Sequence, residues 1–354
     1  NLCHTLVGGA LAKAGLERAT PRATAALVLG ANLPDADILW VEFLGPGGYL
    51  AHHRGITHSW VGILLQVPLL VAGLYLYSRW RDPESRRARP GGLVLASVVG
   101  LVSHLCLDWT NPYGVRPWLP FSDRWVYGDW VAIVDPWLWL VPGVALYWAT
   151  GTTRARRSGW AALAAAASAV VLFSGRAPVW MWVVWFLGLG GAVAGPRVSR
   201  RVRAWASDAT RSVRAALLAA RAWRPDVAGA VRAAIPTPGQ PGRWRLVVYG
   251  PDQVRIAEWR WPPGSVVGAD SAALNLDDPA VRAALATGRG RAWRGFARFP
   301  FAEVEPAANA ARVILRDARY AFRERAGFAV VAIVVRAPEA DRARSSPRGI
   351  ERPE

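Results

Sequence analysis

Residues 92–109 read GLVLASVVGLVSHLCLDW, an apolar run with no charged side chain before Asp108. A helix needs about 20 apolar residues to cross the hydrocarbon core of a bilayer. We therefore expect this run to form a spanning helix that carries His104 and Asp108 near its C-terminal end. Because these two residues are four positions apart, their side chains project from the same face of the helix.

Other apolar segments surround this run. Four have the length of a spanning helix or nearly so, and two weaker ones precede them, the first too short to span comfortably. This pattern predicts a mainly α protein in which residues 1–195 form a polytopic transmembrane helical bundle. The four segments are residues 58–77, 131–149, 160–174 and 179–194, and the two weaker ones are residues 2–16 and 23–40.

Basic residues occupy alternate loops of the predicted bundle. The chain has a net charge of +18, almost all of it from arginine. Cytoplasmic loops of membrane proteins carry the excess of Lys and Arg, so these loops are expected on the cytoplasmic side. The alternation then places His4, His58 and His104 together at the extracytoplasmic side, and it places the chain after residue 197 in the cytoplasm. The basic clusters lie at residues 13–22, 79–89, 154–157 and 197–203.

The chain after residue 195 has ordinary polarity. We expect residues 196–235 to form a basic amphipathic helix on the inner leaflet, and residues 337–354 to form a charged, disordered tail. Between them, the strand-like runs and one helical segment of residues 236–336 predict a small cytoplasmic α+β domain whose sheet is largely antiparallel. The cluster of Asp317, Arg319 and Tyr320 in this domain indicates salt-bridged packing. The predicted strands are residues 244–249, 254–261, 292–299, 312–315 and 328–335, and the predicted helix is residues 279–286.

The five histidines all lie in the first 104 residues. Imidazole is the commonest ligand for zinc-like cations, and carboxylates complete such sites. A single His/Asp pair is often only a structural hydrogen bond, and an aspartate after a helix can be a terminating residue. The histidines and aspartates, however, share one predicted side of the membrane, and their types and spacing suit metal ligands. Together these features favour a metal site, because ionisable groups at membrane depth are costly and usually functional.

Four ordered motifs resemble the YdjM-type family, which consists of bacterial inner-membrane proteins described as metal-dependent hydrolases. The resemblance covers residues 1–150 well and later residues more loosely, and Cys3 stands where threonine is expected. It implies a multi-pass protein of the bacterial cytoplasmic membrane. The order of histidines and aspartates is also similar, distantly, to that of the zinc-dependent phospholipase C and single-strand nuclease group. The motifs are NLCHTLVG (residues 1–8), NLPDAD (32–37), HHRGITHS (52–59) and SHLCLDWTNPYG (103–114).

We therefore predict a membrane-bound, metal-dependent hydrolase that holds one or more divalent ions, with zinc as the favoured metal. Asp37 is the candidate general base, and Arg54 is the candidate group for holding a phosphate or another anion. The expected substrate is a phosphate ester, such as a phospholipid or a lipid-linked phosphate, at the outer bilayer surface. The candidate ligands are His4, Asp35, His53, His58, His104 and Asp108.

Two other classes of function compete with hydrolysis. The protein could be a non-catalytic metal-binding membrane protein or a metal-ion carrier, although a carrier would place polar groups near the bilayer midplane. Nucleic-acid binding by the basic C-terminal half is not expected, since its arginines are scattered and form no recognised binding motif.

Overall fold

A computed structural model describes residues 1–173, 230–238, 240, 242–260, 264–307, 309–320 and 328–336. The first of these ranges is helical, with short 3-10 segments such as Leu33–Leu39 and Val41–Leu44 in its connections. Its α-helices are α1 (Leu2–Lys13), α2 (Ala23–Gly30), α3 (Gly48–His52), α4 (Trp60–Arg81), α5 (Pro90–Trp109), α6 (Pro136–Thr150) and α7 (Arg154–Phe173).

Helices α4 and α5 are long and apolar enough to cross a membrane. Only 17% of the apolar window of α4 is buried, and 39% of that of α5. A core helix of a soluble protein would be mostly buried, so this outward-facing apolar surface favours contact with lipid. The described residues thus contain two of the five predicted spans. The segment predicted at 131–149 forms α6, which is short for a span, and the segment at 160–174 corresponds to α7, which is long enough but not apolar enough to count as one. The segment at 179–194 lies outside the described residues.

Glycines allow α2 and α5 to approach each other closely. A Cβ atom at Gly100 would lie 2.7 Å from the carbonyl oxygen of Leu27, and one at Gly30 would lie 3.1 Å from that of Ser97. Small residues at such an interface let two helix backbones pack together. The contact matters for the polar end of α5, because His104 follows Gly100 by one helical turn.

Two of the four basic clusters, at residues 13–22 and 79–89, meet at one end of the helices. Arg22 forms an ion pair with Asp82, and the guanidinium of Arg89 donates to the carbonyl oxygen of Ala19 at 3.0 Å. Because α4 begins next to His58 and α5 ends beyond His104, the histidines lie at the opposite end. For these two clusters, the predicted separation from the histidines is thus present in the fold.

The C-terminal part forms two antiparallel sheets with two short helices. The first sheet has the strand order β1-β2-β3-β4, and the second has the order β5-β6-β7. All pairings are antiparallel, as predicted. The strands are β1 (Val231–Pro236), β2 (Arg243–Tyr249), β3 (Gln253–Arg260), β4 (Ser265–Ala273), β5 (Pro300–Ala307), β6 (Ala310–Asp317) and β7 (Val331–Arg336), and the helices are α8 (Pro279–Leu285) and α9 (Gly288–Phe296).

Two sequence predictions for this part need correction. Strand β1 begins at Val231, so residues 231–235 belong to the sheet and not to the predicted amphipathic helix. The strand predicted at 292–299 is largely helix α9. Its first turn is capped by the side chain of Thr287, and Gly290, Trp293 and Phe296 form a buried stripe at helical spacing.

The sheet domain, defined here as residues 230–336, contacts the histidine end of the helices. Arg298 forms an ion pair with Asp129 at 2.8 Å, and the indole of Trp125 donates to the carbonyl oxygen of Gly295 at 3.1 Å. Asp129 and Trp125 lie in the segment that follows α5. These contacts are incompatible with our assignment of the metal site and the C-terminal domain to opposite sides of the membrane.

The contact between α2 and α5 yields a stability prediction. Replacing Gly100→Val should push these helices apart and destabilise the protein by about 1–3 kcal/mol, as overpacking commonly does. Gly73 in α4 has nothing within 4 Å of its Cβ position, so Gly73→Val is the matched control. Thermal unfolding in detergent measures both variants. Equal losses of Tm would show that helix propensity, not the close contact, causes the effect.

Candidate metal centre

The loop before α4 presents His58 at a fixed position. The side chain of Ser59 accepts a hydrogen bond from the Gly62 amide at 3.0 Å and caps α4. A Cβ at Gly62 would lie only 1.9 Å from the carbonyl oxygen of Ile56, so this turn requires glycine. His58 therefore lies immediately before the cap, with its side chain fully buried.

Four ligand atoms converge from three segments of the chain. The Nε2 atoms of His58 and His104 are 3.1 Å apart. The Nε2 atom of His58 lies 3.2 Å from Asp35 Oδ1 and 3.4 Å from Asp108 Oδ2. The Nε2 atom of His104 lies 3.6 Å and 3.4 Å from the same two oxygens. A tetrahedral cation with ligands at about 2.0–2.1 Å needs ligand atoms about 3.3 Å apart, which these distances match.

Hydrogen bonds at Nδ1 orient both imidazoles so that, in their neutral forms, the Nε2 atoms carry no proton. The Nδ1 atom of His104 lies 2.8 Å from the carbonyl oxygen of Ala31, which can only accept a hydrogen bond. The hydroxyl of Thr57 donates to Asp37 at 3.0 Å, so its oxygen accepts from His58 Nδ1 at 3.0 Å. In neutral imidazoles the two Nε2 lone pairs therefore face each other. Ligating histidines are typically oriented in this way by a partner on the other ring nitrogen.

The charges of the cluster also call for a cation. Asp108 Oδ2 is buried and has no hydrogen-bond partner among the described residues. With neutral imidazoles, the carboxylates of Asp35, Asp37 and Asp108 face a single guanidinium, that of Arg54, which leaves two uncompensated negative charges. Buried charge is very costly unless it is paired or coordinates a metal. A divalent cation among the four ligand atoms would balance this deficit.

Asp35 is the most accessible of the four ligands. Its side chain is 13% exposed, whereas those of His58, His104 and Asp108 are at most 3% exposed. Burial alone would raise the pKa of Asp35, but when the adjacent imidazoles of His58 and His104 are protonated they lower it to about 2. The carboxylate is therefore ionised and able to bind a cation at neutral pH.

A second group of candidate ligands adjoins the first. Asp35, Asp37 and His53 also lie within reach of one cation. However, Asp37 is already hydrogen-bonded on both oxygens, to His53 Nδ1 at 2.8 Å and to the backbone amide of Arg54 at 3.2 Å. Because both oxygens of Asp37 already have hydrogen-bond partners, this group does not need a metal. We therefore assign it to an outer layer of residues that holds His58 in position.

Arg54 holds the ligand Asp108. Its guanidinium donates to Asp108 Oδ1 at 2.7 Å, to Asn111 Oδ1 at 3.1 Å and to the carbonyl oxygen of Gly114 at 3.1 Å. It also lies 4.5 Å from the ring centre of Tyr113. Only 6% of the residue is exposed, so these contacts occupy the group that we predicted to hold a substrate anion.

His4 lies beside the cluster but outside both ligand groups. Its ring stacks on that of His104 with centroids 4.0 Å apart, and its Nε2 atom is 3.5 Å from Asp108 Oδ1. That oxygen is the one bound by Arg54, not the one that faces His58 and His104. His4 thus covers one side of the cluster and helps to orient Asp108.

The structure brings all the sequence-predicted site residues into one region, in two layers. The inner layer is Asp35, His58, His104 and Asp108, and these residues could bind a metal ion. The roles of Asp37 as a base and Arg54 as an anion holder stay predictions. Sequence reasoning missed Thr57 and Asn111, which orient His58 and Arg54. Thr57 lies in the motif HHRGITHS and Asn111 in the motif SHLCLDWTNPYG. Membership of these motifs is the sequence signal that could have identified them.

Comparisons with known proteins agree with a membrane location. A family model described as YdjM inner membrane protein matches residues 1–183. The chain is 28% identical over 129 residues to the uncharacterized protein YfhP of Bacillus subtilis (strain 168), covering 36% of this chain and 37% of that protein. It is 37% identical over 118 residues to the inner membrane protein YbcI of Escherichia coli (strain K12), covering 32% of this chain and 62% of that protein. The chain thus matches less than two thirds of either relative. No solved structure matches.

The metal centre can be tested by metal content. His58→Ala and His104→Ala should each weaken zinc binding by more than about 100-fold, because losing a direct ligand costs at least as much as losing an orienting partner. His52→Ala is the matched control, since His52 is exposed and belongs to the same motif. Elemental analysis of protein purified without chelators gives the metal content. Full occupancy in His104→Ala would contradict the assignment.

Proposed function

This chain belongs to the YdjM inner membrane protein family, and we propose that it is a membrane-bound, metal-dependent hydrolase acting on a phosphate ester at the bilayer surface. The observation that carries this proposal is the convergence of two imidazole nitrogens and two carboxylate oxygens, in which each nitrogen lies 3.1–3.6 Å from the other nitrogen and from both oxygens. Zinc is the favoured cation, because mixed nitrogen and oxygen ligands at this spacing fit its tetrahedral preference.

A cation bound by Asp35, His58, His104 and Asp108 would supply Lewis acidity, which lowers the pKa of water and polarises a phosphoryl oxygen. The surrounding residues of the chain orient the ligands. Asp37 accepts the Thr57 hydroxyl and so fixes His58, while Arg54 fixes the non-ligating oxygen of Asp108. Substrate would approach along Asp35, the only one of the four with an appreciably exposed side chain.

The segment after Asp35 supports a lipid substrate. Residues 38–44 turn several apolar side chains outward, including Leu39, which is 73% exposed, and Phe43, which is 86% exposed. Soluble proteins rarely expose such continuous apolar surface without a partner. In an inner-membrane protein this segment is suited to the bilayer interface, where it would bring a phosphorylated head group next to Asp35 while the acyl chains stay in the membrane.

A non-catalytic metal site is the second candidate function. Four protein ligands can saturate a tetrahedral cation, whereas catalytic zinc sites keep a position open or expand their coordination. A metal-ion carrier has less support, because α4 carries no charged side chain between Trp60 and Ser78 and α5 carries none between Pro90 and Ser103. The discriminating property is turnover of a phosphate ester by metal-loaded protein.

We further propose that the metal centre and the sheet domain both lie on the extracytoplasmic side, because the basic loops mark the other end. A cysteine-free background, in which Cys3 and Cys106 are replaced, allows a labelling test. An impermeant maleimide should label Ser271→Cys in intact spheroplasts, and it should label Arg86→Cys only after lysis; both positions are exposed. The reverse pattern would invert the orientation, and labelling of both before lysis would contradict their separation.

Hydrolysis can be tested with purified protein in mixed micelles. Zinc-loaded protein should release phosphate or a phosphorylated head group from anionic phospholipids or from an isoprenoid phosphate. His58→Ala should lower the rate by at least about 100-fold, as expected when a catalytic metal is lost, while His52→Ala should retain it. Metal-loaded wild-type protein that turns over none of these substrates would favour the non-catalytic function.

A further inference from the structure

A buried arginine of the sheet domain, Arg319, binds the segment that follows α5. The side chains of Arg319 and Asp317 are both fully buried and contact each other at 2.8 Å. The same guanidinium donates to the carbonyl oxygen of Pro112 at 2.9 Å and to that of Phe296 at 2.7 Å. One side chain of the sheet domain thus binds the backbone of the helical part, 207 residues earlier in the chain.

The ring of Tyr113 continues this contact toward the metal centre. It lies 4.8 Å from the ring of Phe296 and 5.7 Å from that of Phe328, both in the sheet domain. It also lies 4.5 Å from the guanidinium of Arg54. Arg54 in turn holds Asp108 Oδ1 at 2.7 Å. An unbroken series of contacts therefore leads from Arg319 to a metal ligand.

The chemistry of the pair favours a positioning role over a purely stabilising one. Burying two charges costs several kcal/mol per ion, so a buried ion pair is weak evidence for stability. A planar guanidinium with several fixed donors does specify one geometry of its partners. Here those partners are the carbonyl groups of Pro112 and Tyr113, in the loop after α5 that we call the Tyr113 loop, and that of Phe296 in the sheet domain. The sheet domain lies beyond residues 1–183, which the family model matches.

We propose that the sheet domain positions the metal centre: Arg319, bound to Pro112, holds Tyr113 under Arg54 and so keeps Asp108 oriented for the cation. The inference rests on the proposed metal centre. Coupling between two binding events is reciprocal, so metal binding also strengthens the docking of the sheet domain.

Cobalt(II) titration of the full-length protein in detergent tests this proposal. Arg319→Ala should weaken cobalt binding about tenfold, comparable to the loss of an outer-shell partner, and it should change the visible absorption spectrum of the bound ion. Arg312→Ala is the control, because Arg312 forms an exposed ion pair with Glu305 in the same domain. Wild-type affinity and an unchanged spectrum in Arg319→Ala would overturn the positioning role.

A pair of substitutions at Tyr113 decides the matter if Arg319→Ala does not fold. The hydroxyl of Tyr113 is buried without a hydrogen-bond partner among the described residues. Tyr113→Phe should therefore bind cobalt like the wild type, while Tyr113→Leu should bind it more weakly with a changed spectrum. Equal affinities in these two variants would refute the series of contacts. Wild-type protein that binds no cobalt or zinc would instead refute the metal centre itself.

Discussion

The helical part of this protein depends on one electrostatic constraint, the convergence of four ligand atoms in a nearly dry pocket. Two imidazole nitrogens lie 3.1 Å apart, and each faces the carboxylates of Asp35 and Asp108. With neutral imidazoles such an arrangement is unfavourable without a cation, because lone pairs and anionic oxygens repel each other in a low-dielectric interior. The surrounding hydrogen bonds orient the ligand atoms toward one point: the Ala31 carbonyl and the Thr57 hydroxyl accept from the histidines, and Arg54 donates to Asp108.

Close packing of the helices makes this convergence geometrically feasible. The carbonyl oxygen of Ala31 that orients His104 belongs to the end of α2, and it reaches α5 only because Gly30 and Gly100 lie between the two backbones. The capped start of α4 similarly fixes His58. The metal ligands therefore lie on or next to rigid helix termini, and the loops between them supply the outer layer of Asp37, His53 and Arg54.

The sheet domain adds a feature outside the region that defines the family. Its aromatic residues and Arg319 pack on the Tyr113 loop, directly behind Arg54. A domain docked in this way can couple its own state to the geometry of Asp108. The same contacts place the sheet domain at the histidine end of the helices. The basic loops alone would instead assign residues 230–336 to the opposite side of the membrane.

Sequence alone determined the local features: the apolar runs of α4 and α5, the separation of basic loops from histidines, and the pairing of His104 with Asp108, since each depends on spacing within one segment. It also selected a set of polar residues that the fold brings into one region, four of which could bind a metal ion. It could not separate ligands from their orienting partners, because that depends on which atoms of Asp35, Asp37, His53 and His58 meet across 3-10 turns.

The segment at 292–299 was predicted as a strand because its apolar residues fit both the strand period and the helix period. Packing against β6 and β7 selected the helix. Only the tertiary structure decided that Arg54 binds Asp108 and that the sheet domain docks at the histidine end. Both contacts join residues far apart in the chain, and their energies depend on burial that no local pattern reports.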